Sequence, residues 1–365
     1  MANWTSVEIK WVTLNLHLSN IDLYNAYCEA FPKVERSYDR VRRKIKDLRT
    51  QLLSTNTTGD ELIEEINTYS IKELKEKAKT WAASVVEATK NLSTYYSPVL
   101  SVNHSSLVLL LSDLHFGKES MGFNIDVAKE RIAELPEKLL QQLGATADEL
   151  DEIIIVLAGD IVEGEDIFDH QAHQISCPVI DQAKIATESI WKLIFDLHNI
   201  YLPNCSIRIE TCPGNHGRVS YKANPKTNWD NVVYQQLHLV HTVWKEHAKN
   251  TEWFSLFPNM EPFRRFKVKD KWCVVTHHGV KHTGTPSMLY KLAGWNQTMP
   301  FDVLMHGHWH NWEVGTQFGK AVVKNGSLSG QDDLALTMGA YDPARQAYFI
   351  ITPDQPLKNF SYLEW

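Results

Sequence analysis

The sequence predicts an α/β fold with a small all-α module in front of it. Two observations predict the α/β part. Five short runs of aliphatic and β-branched residues each end in a polar cluster, and the gaps between them are long enough for a helix or a crossover. A third observation predicts the module: the first fifty residues carry a helical apolar periodicity before any such run begins. With 365 residues, 43% of them hydrophobic, the chain can bury a sizeable core.

In chain order, WTSVEIKWVTLNL reads as a helix with Thr5 or Ser6 near its start and Val7, Trp11, Leu14 and Leu18 on its apolar side. NIDLYNAYCEAF reads as a second, with Leu23, Tyr24 and Tyr27 inward and Pro32 ending it. RSYDRVRRKIKDLR reads as a third, its apolar side Tyr38, Val41, Ile45 and Leu48. Lys33 to Arg49 holds eight basic residues against three acidic ones. Arg36, Arg40, Arg42, Arg43, Lys44 and Lys46 are the expected nucleic-acid contacts, turned outward by burial of the apolar side. Trp4-Thr5 followed by Glu8, and then RSYDRVRRKI, resembles a Myb/SANT-type domain, although only Trp4 and Trp11 stand where such repeats carry more tryptophans. The polar STNTTGD is a linker, and residues 60–92 read as a Lys- and Glu-rich bracing helix. The expected organisation is a three-helix module over 1–53, linker and brace over 54–100, and an α/β domain over 101–365.

Composition narrows the function. A net charge of -7 argues against a surface wholly coated by nucleic acid and leaves room for a local basic patch. Five cysteines, odd in number and without a CxxC, suit a reducing setting with neither disulfides nor a thiolate zinc site. The first residues do not read as a signal peptide, and no apolar run approaches membrane-spanning length. The expectation is a cytoplasmic protein with no membrane partner.

The runs SSLVLLLSD, DEIIIVLAGD, CSIRIETCPGN, KWCVVTHHG and FDVLMHGHWH lead into Asp113-Leu-His115, Gly159-Asp160, Gly214-Asn215-His216, His277-His278-Gly279 and Gly307-His308-Trp-His310. In α/β sheets ligands bind at the carboxyl ends of strands. Carboxylate, amide and imidazole donors without thiolates suit divalent ions such as Mn²⁺, Fe²⁺, Zn²⁺ or Ni²⁺. Glycines beside the donors suit sharp backbone turns.

D-x-H, G-D, G-N-H, H-G and G-H-x-H in this order resemble the five motifs of the calcineurin-like metallophosphoesterases, over residues 105 to about 330. That resemblance implies a four-layer α/β sandwich and two divalent ions, Mn²⁺ favoured. Asp113, His115 and His310 would hold one ion. Asn215, His308 and one of His277 and His278 would hold the other, with His278 preferred because it directly precedes the glycine. Asp160 would bridge the two. The implied chemistry is in-line attack on phosphorus by a metal-activated hydroxide, with catalytic roles for Asp160 and for His216 at the leaving group. His306 would pack beneath the site, and Cys212 would be an inert buried thiol.

After Gly159-Asp160 comes IVEGEDIFDHQAHQ, which resembles the exonuclease-like small subunit of archaeal D-family DNA polymerase and its phage relatives. His170 and His173 in that stretch, and Arg218 just past His216, are candidate substrate contacts. Trp309 and Trp312 read as packing, and His282 is left open. The leading expectation is a dimetal nuclease or phosphodiesterase with DNA, or alternatively RNA, as partner and substrate. Its rivals are a phosphatase or cyclic phosphodiesterase for small nucleotides and an inactive DNA-binding scaffold.

Overall fold

The structure is a computed structural model that describes residues 12, 20–32, 34, 36–54, 71–89, 105–168, 171–201, 205–279, 286–330 and 342–365. The chain divides into two compact units, Met1–Ala78 and Lys79–Trp365.

In the first unit, α1 (Asn20–Ala30) and α2 (Tyr38–Ser54) follow the periodicity of the sequence. Leu23 and Tyr27 of α1 pack with Val41, Ile45 and Leu48 of α2 and with Val12 in one cluster. Spacings of three and four put these residues on one stripe of each helix. Apart from Val12, the expected first helix lies outside the described residues, as do 55–70. One expectation is corrected: Arg36 precedes α2, is only 7% exposed, and donates from Nε to Tyr27 Oη at 3.0 Å. It braces the helix pair and does not face outward. Arg42, Arg43 and Lys46 are exposed, and Arg40 and Lys44 half-buried.

A third helix, α3 (Ile71–Ala88), runs across the boundary between the units. Ala82 and Val85, from its last turns, belong to the core of the second unit, and Trp81 Nε1 donates to Glu188 Oε1 at 3.1 Å.

The second unit opens with β1 (Ser105–Leu111), α4 (Ile125–Leu143), β2 (Leu150–Leu157), α5 (Val179–Phe195), β3 (Ser206–Thr211), α6 (Trp229–His247) and β4 (Phe254–Phe257). The strands pair in parallel in that order. β5 (Phe263–Val268), β6 (Lys271–Thr276), α7 (Pro286–Thr298), β7 (Val303–His306), β8 (Glu313–Gln317) and β9 (Lys320–Lys324) follow, and the chain ends in β10 (Arg345–Ile351) and β11 (Lys358–Glu364). The first sheet runs β11-β10-β1-β2-β3-β4 and the second β5-β6-β7-β9-β8. Both are mixed: β10 and β11 add antiparallel to the first, and β5 and β8 edge the second antiparallel to a parallel β6-β7-β9 centre.

Alternation along the strands sets the layers. Leu107, Leu109 and Leu111 of β1, with Ile153, Ile155 and Leu157 of β2, face the helices. Val108, Leu110, Ile154 and Val156 face the second sheet and meet Val275, Met305 and Val323. Leu292 of α7 covers the far face, against Val274, Leu304 and Val322. The order is helix, sheet, sheet, helix. Strands buried on both faces carry no polar alternation, so β1 and β2 read as continuous apolar runs. Each such Leu or Ile contributes roughly 1.5–3 kcal/mol on burial. Among the described residues no helix is long and apolar enough to cross a membrane.

Candidate metal centre

The parallel strands β1, β2 and β3 of one sheet and β6 and β7 of the other end at the same place, and their last residues build the site. Past the sheet edge the β1 and β2 loops keep running side by side: Asp113 N donates to Gly159 O and His115 N to Asp160 O, both at 3.0 Å. The sharp backbone that sequence reasoning gives to the glycines belongs mainly to the polar residues. Asp113, His115, Asp160, His308 and His310 all have positive φ, between 48° and 77°. Such strain in non-glycine residues collects at functional sites. Of the motif glycines only Gly159 shares it, at 87°. Gly214 and Gly307 give room: a Cβ there would lie 2.2 Å from Asp160 Oδ1 and 2.3 Å from Asp113 Oδ2.

Three donor groups result among the described residues, one of them, His115, Glu163 and His216, sharing His115 with the first. In the first, Asp113, His115 and His310 place ligand atoms within 4.8 Å of one another. His115 Nε2 and His310 Nε2 are 3.1 Å apart, and His310 Nε2 is 3.3 Å from Asp113 Oδ1. His308 N donates to both oxygens of Asp113 (3.0 and 3.1 Å), and Ser112 Oγ donates to Oδ2 at 2.5 Å. Burial disfavours the Asp113 charge, but His310 outweighs it and holds the carboxyl at about 2. Burial pushes His115 down to about 4 despite Glu163. Its Nδ1 lies 2.7 Å from Glu163 Oε2, so the ring proton is held there and the Nε2 lone pair faces the group.

In the second, Asp160, His277 and His308 lie within 4.8 Å. Asp160 Oδ1 accepts from the backbone N–H groups of Asn215 (2.6 Å) and His216 (2.7 Å). Its Oδ2 is buried without a directed hydrogen bond, 2.9 Å from His277 Nε2. Burial opposes its charge, yet His277 and His216 keep this carboxyl well below the usual range. His277 holds Ala158 O at 2.8 Å with Nδ1 and turns Nε2 to Asn215 Oδ1 at 3.1 Å. Burial works against its charge as well, but Asp160 and Asp113 lift it to about 9.

The His277/His278 ambiguity takes a geometric form. β6 ends at Thr276, and the next side chain turns inward: His277 is 1% exposed, whereas His278 is exposed, its ring 4.4 Å from that of His308. His306 lies fully buried beneath, at about 3 through desolvation. Oxygen and nitrogen donors, two buried carboxylates and the neutral imidazoles of His115 and His308 fit divalent ions, and His277 would join them on giving up its proton.

His216 stands beside the donors. Its Nδ1 is 3.3 Å from Glu163 Oε1 and its ring 4.6 Å from that of His115. Burial lowers its affinity for a proton, while Asp160 and Glu163 raise it more, to about 9. Glu163 thus gives one oxygen to the Nδ1 of each histidine. Arg218 is half-buried, near enough for its charge to act on His278. His173 is exposed, and His170 and His282 lie outside the described residues. Cys212 is buried, its thiol pushed up to about 12. Trp309 packs beside His308 and Trp312 against Tyr362.

Sequence reasoning misses three residues. Glu163 and Gln171 both lie in the stretch IVEGEDIFDHQ, where the glutamate and glutamine are the signal. Asp230, in the first turn of α6, accepts from Asp160 N (2.9 Å), Ile161 N (2.9 Å), Val162 N (3.3 Å) and Gly214 N (2.8 Å). It ties the β2 loop to the β3 loop. Desolvation, followed by the Asp160 charge, raises it to about 6.

No curated protein matches the chain. Solved structures similar to it include Vps29 from Cryptosporidium parvum, at 13% identity over 72% of this chain and 98% of that one, with a TM-score of 0.33. An archaeal phosphodiesterase is similar at 12% over 71% and 99%, with a TM-score of 0.34. A hypothetical protein from Pyrococcus horikoshii is similar at 12% over 71% and 87%, with a TM-score of 0.37. The model of the calcineurin-like phosphoesterases matches residues 106–312, from the second residue of β1 to just past the last candidate histidine. That span is over half of the chain and takes in every strand end of the site, so the chain belongs to the calcineurin-like phosphoesterase family, hydrolases of phosphate esters.

Proposed function

We propose that this phosphoesterase hydrolyses phosphodiester bonds in DNA with two divalent ions, in the manner of the exonuclease-like branch. The observation that supports the two-ion reading is that Asp113, His115 and His310 form one donor group and Asp160, His277 and His308 another, with no residue in common. Asp113, His115 and His310 would hold one ion, and Asn215, His277 and His308 the other, with Asp160 between them. His277 takes the place that the family resemblance gives to His278, because it is the buried one. Manganese suits such a mixed set of hard and borderline donors.

When bound, the ions polarise the phosphoryl oxygens and make a water nucleophilic at neutral pH. The protein's own groups do the rest. His216, kept protonated by Glu163 and Asp160, donates to the departing oxygen, and Glu163 fixes the ring through Nδ1. Glu163 also fixes the His115 tautomer. Asp230 holds the loops that carry Asp160 and Asn215 at one spacing. Arg218 would steady a non-bridging phosphate oxygen.

DNA as substrate is supported by α2, which buries Val41, Ile45 and Leu48 and exposes Arg42, Arg43 and Lys46. The test is full-length protein with these three changed to glutamate. DNA affinity should fall, and the log–log salt slope should flatten by about 0.9 for each phosphate that is no longer neutralised. Equal salt slopes would remove the nucleic-acid role of α2. Turnover of a nucleotide with no DNA binding by the unmodified protein would put a small-molecule substrate in its place.

A further inference from the structure

Gly164, Phe168 and Gln171 lie against the candidate leaving-group histidine, His216. Gly164 has φ 82°, and a Cβ there would lie 2.2 Å from His216 O, so backbone meets backbone with no space for a side chain. Gly164 N donates to the buried Gln182 Oε1 at 2.9 Å. Gln171, 3% exposed, ties these residues into a knot: its Oε1 accepts from Ile167 N (2.8 Å) and Phe168 N (3.3 Å), and its Nε2 donates to Glu163 O at 2.6 Å. The knot sorts two adjacent apolar side chains. Ile167 turns into the core at 5% exposure, whereas Phe168 is left 43% exposed. The Phe168 ring lies 4.7 Å from the His216 ring, tilted by 48°. A loop that only needed to close would gain by burying the larger ring. This one holds a rigid aromatic face open to solvent beside the histidine.

We propose that Phe168 is a stacking platform for an aromatic base on the leaving-group side of the scissile phosphate, a reading that rests on the phosphodiesterase function above. A phenyl ring has no hydrogen-bonding group, so it accepts any base by its π-face and confers no base preference. The substrate class is therefore a nucleotide or strand read by the presence of a base and not by its identity. Gln171 acts as a positioning residue, because it sets the direction of the ring without facing the base.

The test is calorimetric titration of full-length, manganese-loaded protein with adenosine monophosphate and with ribose 5-phosphate, which lacks the base. In the unmodified protein the base should tighten binding by about fivefold to 150-fold, the range of one base–aromatic stack. Phe168→Ala should bring the two affinities within about twofold, and Phe168→Trp should restore the difference. If Phe168→Ala weakens both ligands equally, the ring merely supports His216 and the proposal is overturned. An intact base advantage in Phe168→Ala overturns it as well. Hydrolysis of bis-p-nitrophenyl phosphate is followed in parallel. A wild-type protein that cleaves no diester overturns the underlying function and the leaving-side assignment with it, whereas a cleaving protein with an unchanged base advantage overturns the stacking role alone.

Discussion

The two sheets bring different chemistry to the same edge. Among the described donor groups, the six-stranded sheet supplies every carboxylate, Asp113 after β1 and Asp160 and Glu163 after β2, together with His115 and His216. The five-stranded sheet supplies imidazoles alone, His277 after β6 and His308 and His310 after β7. The carboxylates are held by backbone: two N–H groups on Asp160 Oδ1 and that of His308 on Asp113. Of the imidazoles, His277 rests its Nδ1 on Ala158 O, and the protonation of His277 and His308 follows the balance between burial and the neighbouring carboxylates. His277, against Asp160, rises to about 9, whereas burial takes His308 down to about 4. The six-stranded sheet sets the charge, and imidazoles at the ends of both sheets respond to it.

Removing the fixed charge should have the largest effect. Asp160→Asn should abolish measurable diester hydrolysis and weaken metal retention at both positions, read by kinetics and elemental analysis. Near wild-type turnover would mean that the carboxylate edge does not organise the site. His216→Ala should keep its metals and lose about 10²–10⁴-fold on substrates with poor leaving groups, and less on p-nitrophenyl esters. Loss of metal from that variant would make His216 a ligand.

Glu163→Gln probes how one carboxylate serves two imidazoles, and turnover should fall about 10–100-fold. The sign of its pH effect is definite. Removing a negative neighbour lowers the His216 pKa from about 9 toward its ordinary value, so the alkaline limb of the pH–rate profile should move to lower pH. An unmoved limb would assign that limb to another group. The metal-free protein offers a milder probe. A proton on His277 competes with a divalent ion up to about pH 9, so metal affinity should rise with pH by at most about tenfold per unit below that point. Titrations at pH 6, 7 and 8 with identical affinities would exclude His277 as a ligand. The smallest effect is expected from His278→Ala, at most about twofold on metal affinity, against a large loss for His277→Ala. The reverse order would restore His278.

How much of this the sequence discloses depends on the direction of the interactions. Strands β1, β2, β6 and β7 are legible because burial on both faces writes an apolar run, and β3 because Ile207 and Ile209 alternate with polar residues; in each the chemistry follows at once. The antiparallel additions β10 and β11 are not, since nothing local ties RQAYFII to β1, more than two hundred residues earlier. The same holds for Gln346, whose side chain accepts from Ser112 N and donates to Ser112 O beneath Asp113. Glu163 and Asp230 hold other groups in place, and such residues carry no spacing rule of their own. The choice of His277 over His278 turns on a single residue of strand length: where β6 stops decides which imidazole points inward. Arg36 reads as one more cation of α2 because charge is legible in a sequence and its tyrosine partner is not.

The left-handed backbone shared by Asp113, His115, Asp160, His308 and His310 has an evolutionary consequence. Each residue held there works against folding by about 1–3 kcal/mol, and glycine would relieve it at once. Selection for heat tolerance alone would find some of its easiest gains at these five positions, and each gain would dismantle the centre. Thermotolerant descendants of this chain should therefore carry their adaptive changes in the helices and outer sheet faces, leaving the strained edge as it is.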